Sequence, residues 1–310
     1  MPNTIDIINK AANDPINTGA LTHGLLSAEQ SKKFLQQTFE ATNLGPMVRH
    51  EMRVAKSGEI DKIGIGSRLL RAKVENNDDG YRAGINTSAV TYSTVAVRLP
   101  WEITEEALRE NIEGQNLENV ITGLMATQVG IDNEDLCLNG DKETASTVAD
   151  YAFLKLNNGW IKKIKAGGHV TDAASSEMSL DMFYKALQAL PNKYNNGKLR
   201  WLMSPKRAQA WTLFLMNKVI TNGGAVPDAV YQSPAAIPAV QCPSMDDNTI
   251  LLTDPQNLCE VNTYAMQIRK TTEGKEAIMM DKRFYVIHYD IDSIIEEVDA
   301  TGIIENLKSL

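Results

Sequence analysis

The sequence is poor in the residues from which active sites, metal centres and nucleic-acid grips are usually made. Only four of its 310 residues are histidine and three are cysteine. His23, His50, His169 and His288 are scattered, and none lies beside a serine or cysteine in a nucleophile motif. Cys137, Cys242 and Cys259 form no CxxC pair and no metal spacing, so they read as buried thiols in a reducing compartment. Aromatic residues, at 6%, offer little for base stacking. A net charge of −8 disfavours a surface that grips phosphates, and lets a surface face DNA without adhering to it. No apolar run reaches the roughly 18 residues of a membrane span. The opening MPNTIDIINKAANDP lacks the basic-then-apolar pattern of a signal peptide, so the chain is expected in the cytosol when made.

Motif-like fragments fall short of chemistry. Gly64-Ile65-Gly66 lacks the third glycine of a dinucleotide fingerprint and lies in a strand. Glu75, Asn77, Asp79 and Gly80 resemble the start of a calcium loop, but its last ligand position is Asn86, so a turn is the better reading. His50-Glu51 has no second histidine four residues after the first, and neither GxSxG nor a P-loop is present. His288, between Ile287 and Tyr289, reads as a structural or surface residue. Asp132, Glu134 and Asp135 read as a solvated face or as intersubunit ion-pair partners, with a divalent-ion site as the sharper alternative. No cofactor is expected.

What is present is extended architecture. Residues 1–26 read as an arm. Ser27-Ala28-Glu29-Gln30 is a capping box opening a helix to about Thr42. Ile60–Ala72 and Thr87–Leu99 read as the arms of a long hairpin, with Pro100-Trp101 closing its ladder. Charges crowd its distal end: Arg68, Arg71, Lys73, Glu75, Asp78, Asp79 and Arg82, with Tyr81 among them. An isolated two-stranded hairpin is marginal in water. A helix then runs from Thr104, its N-cap, to about Leu138, roughly 35 residues and about 50 Å long. Gly114, Gly123 and Gly130 interrupt it and are candidate hinges or sites of close backbone packing, each costing about 1 kcal/mol relative to alanine. Helices at Ser179–Leu190 and Pro205–Met216 flank a strand at Leu199–Met203, and residues 222–248 read as a loop. Strands are expected at Thr249–Thr253, Tyr264–Lys270, Glu276–Met280, Phe284–Tyr289 and Ile294–Val298. The order implies an α+β fold, and both the hairpin and the long helix call for partners outside the chain.

In this order the elements resemble the major capsid proteins of tailed double-stranded-DNA bacteriophages, which share the Hong Kong 97 fold. TYSTVAVRLPWEIT (Thr91–Thr104) resembles the returning E-loop strand entering the spine helix, and LENVITGLMATQVGIDNEDLCLNGD (Leu117–Asp141) the spine helix itself. NNGWIKKI (Asn157–Ile164) resembles the entry to the next domain, and Ser179–Trp211 the helix–strand–helix of the axial domain. TILLTDP (Thr249–Pro255) and Tyr264–Ala300 resemble the closing strands.

The resemblance implies an N-arm over 1–48, an E-loop hairpin over 49–99, a peripheral domain over 100–150 and 275–310 with the spine helix, and an axial domain over 151–274. It implies a non-enzymatic subunit that assembles with itself as pentamers and hexamers into an icosahedral head. That head encloses double-stranded DNA without binding it specifically, in the virion, after assembly in the host cytoplasm. Arg68, Arg71, Lys73, Asp78, Asp79, Tyr81 and Arg82 would form the subunit interface at the E-loop tip. A portal, a separate scaffolding protein and decoration proteins are the partners implied; no membrane is. Lys62, Lys73 and Asn306 lack the local pattern of the family's covalent cross-link, so non-covalent assembly is expected. An encapsulin-like cellular compartment shares the fold and is the alternative, with an enzyme of unrecognised type behind it.

Overall fold

The structure is a computed structural model that describes residues 42–65, 69–73, 75, 80–110, 117–221, 233–263, 267–272 and 274–310. The expected helix from Ser27 therefore lies outside the described residues.

Two sheets and one free hairpin carry the fold. The first sheet is built on β11 (Lys282–Ile295), a strand of 14 residues. One edge of β11 pairs along most of its length with β4 (Val95–Thr104). Its other edge is shared: β10 (Gln267–Thr271) pairs with the first half and β9 (Leu258–Asn262) with the second. β1 (Arg49–Met52) extends this sheet in parallel with β9. The two strands expected at Phe284–Tyr289 and Ile294–Val298 are thus one as far as Ile295, because Asp290, Ile291 and Asp292 are buried between the two sets of neighbours rather than exposed in a turn; Val298 belongs to a 3-10 turn, Val298–Ala300.

The expected returning arm Thr87–Leu99 is instead two strands. β2 (Ser57–Gly64) pairs with β3 (Asn86–Ser93) in a separate two-stranded sheet. At Thr94 the chain leaves that ladder and β4 joins β11. Pro100 does not close the ladder. It pairs with Val286 inside it, tolerated because β4 is an edge strand that needs no N–H on its outer side. Trp101 lies opposite Tyr285 with the rings stacked at 5.2 Å.

Thr104 caps helix α1 (Glu105–Glu110), its Oγ1 accepting from the Ala107 amide at 3.2 Å. Helix α2 (Leu117–Asn139) follows with 23 residues. Residues 111–116 lie outside the described set, so the expected single helix from Thr104 is described as these two parts. Leu117, Ile121, Val129, Leu136 and Leu138 bury one side of α2 against β4, β11 and helix α4 (Trp160–Gly167). The short helix α3 (Tyr151–Leu154) precedes α4.

The ends of α2 and α4 interlock through glycine. The Gly159 amide donates to Gly140 O at 2.7 Å, and a Cβ on Gly159 would lie 2.6 Å from Leu138 O. Only glycine lets these backbones approach so closely.

The second sheet has the order β5 (His169–Asp172), β12 (Gly302–Glu305), β8 (Ile250–Thr253), β6 (Arg200–Met203), β7 (Ala239–Gln241). Helices α5 (Leu180–Ala189) and α6 (Pro205–Thr221) accompany it. Phe183 meets Trp201 and Trp211 edge-on at 4.9 and 5.0 Å in the second core. Glu276–Met280, expected as a strand, belongs to helix α7 (Lys275–Met280). Its lysine, glutamate, alanine and methionines are good helix formers, and no sheet face covers Ile278, Met279 or Met280 to reward alternation.

Candidate assembly surface

The hairpin has a root that packs and a distal part that does not. On the inward face Tyr92, Val90 and Ser88 stand opposite Gly58, Ile60 and Lys62. Tyr92, Val90 and Ile60 pack on Cys259, Val261 and Ile294 of β9 and β11. Gly58 lies under the Tyr92 ring, where a Cβ would come within 3.2 Å of the ring carbons. Lys62 Nζ donates to Glu297 Oε2 at 3.1 Å and to the Glu296 carbonyl. Beyond Lys62 the chain is open: Ile63, Ile65, Leu70 and Ile85 are exposed, Leu70 by 90%. Four large apolar side chains, Ile63 in the ladder and Ile65, Leu70 and Ile85 beyond its end, with no third strand among the described residues, are the mark of a surface that another body covers.

At the tip, the Arg71 guanidinium lies 3.7 Å from the centre of the Tyr81 ring. Arg82 Nη1 donates to Tyr81 O at 2.8 Å. The structure thus brings Arg71, Tyr81 and Arg82 together, with Lys73 exposed nearby in sequence. Arg68, Asp78 and Asp79 lie outside the described residues.

Of the three hinge candidates, Gly114 also lies outside them, and Gly123 is described only as part of α2. Gly130 has open space where a Cβ would be, so close backbone packing within the chain is not its reason.

The acidic end of α2 departs from a solvated face. Glu134 is 5% exposed because the Leu44–Gly45 segment crosses the helix there. Its carboxylate faces the Leu44 and Gly45 amides and the Thr42 and Ser244 hydroxyls, but among the described residues none of these donors comes into full hydrogen-bonding geometry with either oxygen. Burial pushes the Glu134 carboxyl above its ordinary range. It does the same to Asp132 and Asp135, which accept from Gln128 at 2.7 Å and Asn139 at 2.6 Å. Beside Glu134 is a cavity of about 30 Å³, lined also by His50, Cys137, Trp160 and Glu260. His50 Nδ1 lies 3.3 Å from Glu260 Oε2, and this hydrogen bond pushes the imidazole up to about 9. Among the described residues no group of three or more His, Cys, Asp and Glu could hold a metal ion, and no helix is long and apolar enough to cross a membrane. All three cysteines are buried free thiols.

Sequence reasoning missed how the hairpin is held. Asp290 and Asp292, two residues apart on β11 and both buried, reach its root. Asp290 Oδ2 lies 3.6 Å from Lys56 Nζ, and Asp292 Oδ2 accepts from the Ser93 amide at 2.7 Å. Two carboxylates alternating with isoleucine inside a strand were the visible signal.

A mixed α/β chain with two sheets, a long helix and a protruding hairpin has the fold of phage capsid proteins, consistent with the Hong Kong 97 architecture. The chain is similar to YqbE of Bacillus subtilis (strain 168), named as an inferred prophage capsid protein, with 26% identity over 98% of both chains. Among solved structures, a chain of the satellite phage P4 procapsid with its size determination (Sid) protein superposes with a TM-score of 0.63. Identity there is 14%, covering 99% of this chain and 98% of that one. The holo-SrpI encapsulin complex of Synechococcus elongatus PCC 7942 follows at 0.55, with 9% identity, covering 99% and 96%. No family model matches the chain. The resemblance to phage major capsid proteins therefore extends over nearly the whole sequence.

Proposed function

We propose that this protein is the major capsid subunit of a tailed-phage head, assembling as pentamers and hexamers into an icosahedral shell around double-stranded DNA. The observation that carries the reading is the β2–β3 hairpin, apolar and uncovered beyond Lys62 on a chain with the capsid fold. A neighbouring subunit supplies the missing cover. The role is structural and not catalytic. The first sheet with α2 forms the peripheral domain and the second sheet the axial domain. This departs from the expected bounds of 151–274 and 275–310, which put β9 and β10 in the axial domain and β12 in the peripheral one; the strand pairing supports the reverse. Assembly is non-covalent: of the three cross-link candidates, Lys62 is held by Glu297 and Asn306 Nδ2 donates to Asp172 Oδ1 at 3.0 Å, while Lys73 is exposed.

A portal and a scaffolding protein complete assembly in the host cytoplasm, decoration proteins bind the outer surface, and the net charge of −8 keeps the shell from adhering to the genome. The encapsulin reading rests on the SrpI likeness, which at 9% identity concerns the fold alone, while the prophage relative shares 26% of its sequence with this chain, which supports the phage reading. Expression of the chain, alone and with the genes beside its own, followed by light scattering and negative-stain microscopy, tests the proposal. Shells, tubes or ring capsomers support it. A chain that stays monomeric with its scaffold supplied overturns it.

A further inference from the structure

The capsid reading makes the hairpin the assembly element, and the inference here rests on that reading. A hairpin that covers a neighbour must leave its own subunit at a defined angle. Its covalent links cannot fix that angle, because Thr94 lies in neither the β2–β3 nor the β4–β11 ladder. The last β4–β11 pair is Val95 with Ile291. One residue further on β11, the side chain of Asp292 takes over: its Oδ2 accepts from the Ser93 amide at 2.7 Å. The other oxygen, Oδ1, accepts from Asn157 Nδ2 at 2.8 Å and from the Ser293 amide at 2.7 Å, with Lys163 Nζ at 3.4 Å. Asn157 lies just before α4 and Lys163 on it. Asp292 is 4% exposed; its bonds to Asn157 and to the Ser293 amide are buried, and those to Ser93 and Lys163 are partly so.

We propose that Asp292 is the positioning residue of the assembly hairpin, fixing its exit angle and tying that angle to α4. Asp292→Asn is nearly isosteric but carries one acceptor and one NH₂ donor. With its oxygen kept on the Ser93 amide, it turns its NH₂ towards the Ser293 amide, a fixed donor, and towards Asn157, whose bond survives only if that carboxamide turns over. The double variant D292N/N157D exchanges the two groups and restores the bonds to Ser93 and to position 157, leaving only the Ser293 amide without its acceptor. The carboxamide now at position 292 accepts from the Ser93 amide and donates to the carboxylate now at position 157, which keeps a negative charge near Lys163.

Spin labels on T87C and T147C, in full-length chain diluted into unlabelled chain, read the hairpin-to-body distance by pulsed electron resonance. The expected result is one narrow distance in the parent, loss of that single distance in D292N, and its return in D292N/N157D. Shells should become irregular in D292N and regular again in the double variant, with the circular dichroism spectrum the same in all three. An unchanged distance in D292N overturns the inference even if shells form. Failure of the double variant to restore the distance overturns it as well. A distance that responds as expected in a chain that stays monomeric even with its scaffold supplied supports the positioning role and overturns the capsid reading instead.

Discussion

The backbone amide of Ser93 donates to the carboxylate of Asp292, 199 positions away in sequence, at 2.7 Å. The contact closes the gap between two ladders: β3 ends at Ser93, and β4 begins at Val95 opposite Ile291. A hairpin otherwise attached by three apolar side chains and by Lys56 and Lys62 thereby gains a short, charge-assisted bond to a buried carboxylate.

The charged tip should act in assembly and not in folding. Reversing Arg68, Arg71 and Arg82 to glutamate together is expected to abolish shells while leaving the melting temperature of the unassembled chain within a few degrees. Assembly of the parent should weaken as salt screens exposed charges. Light scattering against sodium chloride concentration, with calorimetry on the triple variant, checks both. Normal shells from the triple variant would remove the tip from the interface.

The His50–Glu260 pair sets an alkaline limit. The folded-state value of His50 is raised from 6.5 to about 9 by its hydrogen bond to Glu260. Below pH 6.5 the imidazole is protonated in folded and unfolded chains alike, and the pair contributes fully. Between 6.5 and 9 the unfolded chain binds fewer protons than the folded one, so stability falls as pH rises and the contribution is gone above 9. The ring is half exposed, and solvent screening keeps the effect small. Urea midpoints from about pH 6 to about pH 10 should show a decline that H50Q flattens.

Glu134 should be a liability at neutral pH. Burial raises its pKa, so between its unfolded value near 4.5 and its folded value the native state holds the extra proton. Stability conferred below that window is lost as pH rises through it, and above it the charge is buried without a completed hydrogen bond. E134Q is expected to raise stability at about pH 8 by about 1 kcal/mol or more. Denaturant unfolding at about pH 4 and about pH 8 checks this, with the gain confined to the higher pH.

Glycine matters in opposite ways at two positions. G159A would place a methyl 2.6 Å from Leu138 O and 2.8 Å from Cys137 O, both backbone atoms, and should cost about 1–3 kcal/mol or more. G130A enters open space inside α2 and should gain about 1 kcal/mol. Thermal unfolding of the two variants should move in opposite directions.

Local signals in the sequence carried much of the fold. The Thr104 cap, the apolar spacing of α2 and the alternation of Val95, Val97 and Leu99 each reflect the energetics of a few neighbouring residues, and each is found in the structure. What the sequence hid depends on distant partners. Nothing local distinguishes Ser93, which ends one ladder, from Val95, which begins another, since the change is made by β11. The same holds for Glu134, which reads as surface until Leu44–Gly45 crosses it. Glu276–Met280 reads as a strand on the short apolar run Ala277–Met280, which periodicity alone does not distinguish from a helix. Of the assembly surface, the charges were legible because they cluster in sequence. The carboxylates that aim the hairpin were not, because their meaning lies in the fold.

The most direct test of the assembly role is an electron cryomicroscopy reconstruction of shells formed by the full chain, at a resolution that traces the β2–β3 hairpin. The expected map shows the hairpin beyond Lys62 lying on an adjacent subunit, with Ile63, Ile65, Leu70 and Ile85 covered and Ser93 still bound to Asp292. A map with the hairpin free in solvent, or folded back on its own subunit with those four side chains exposed, would contradict it.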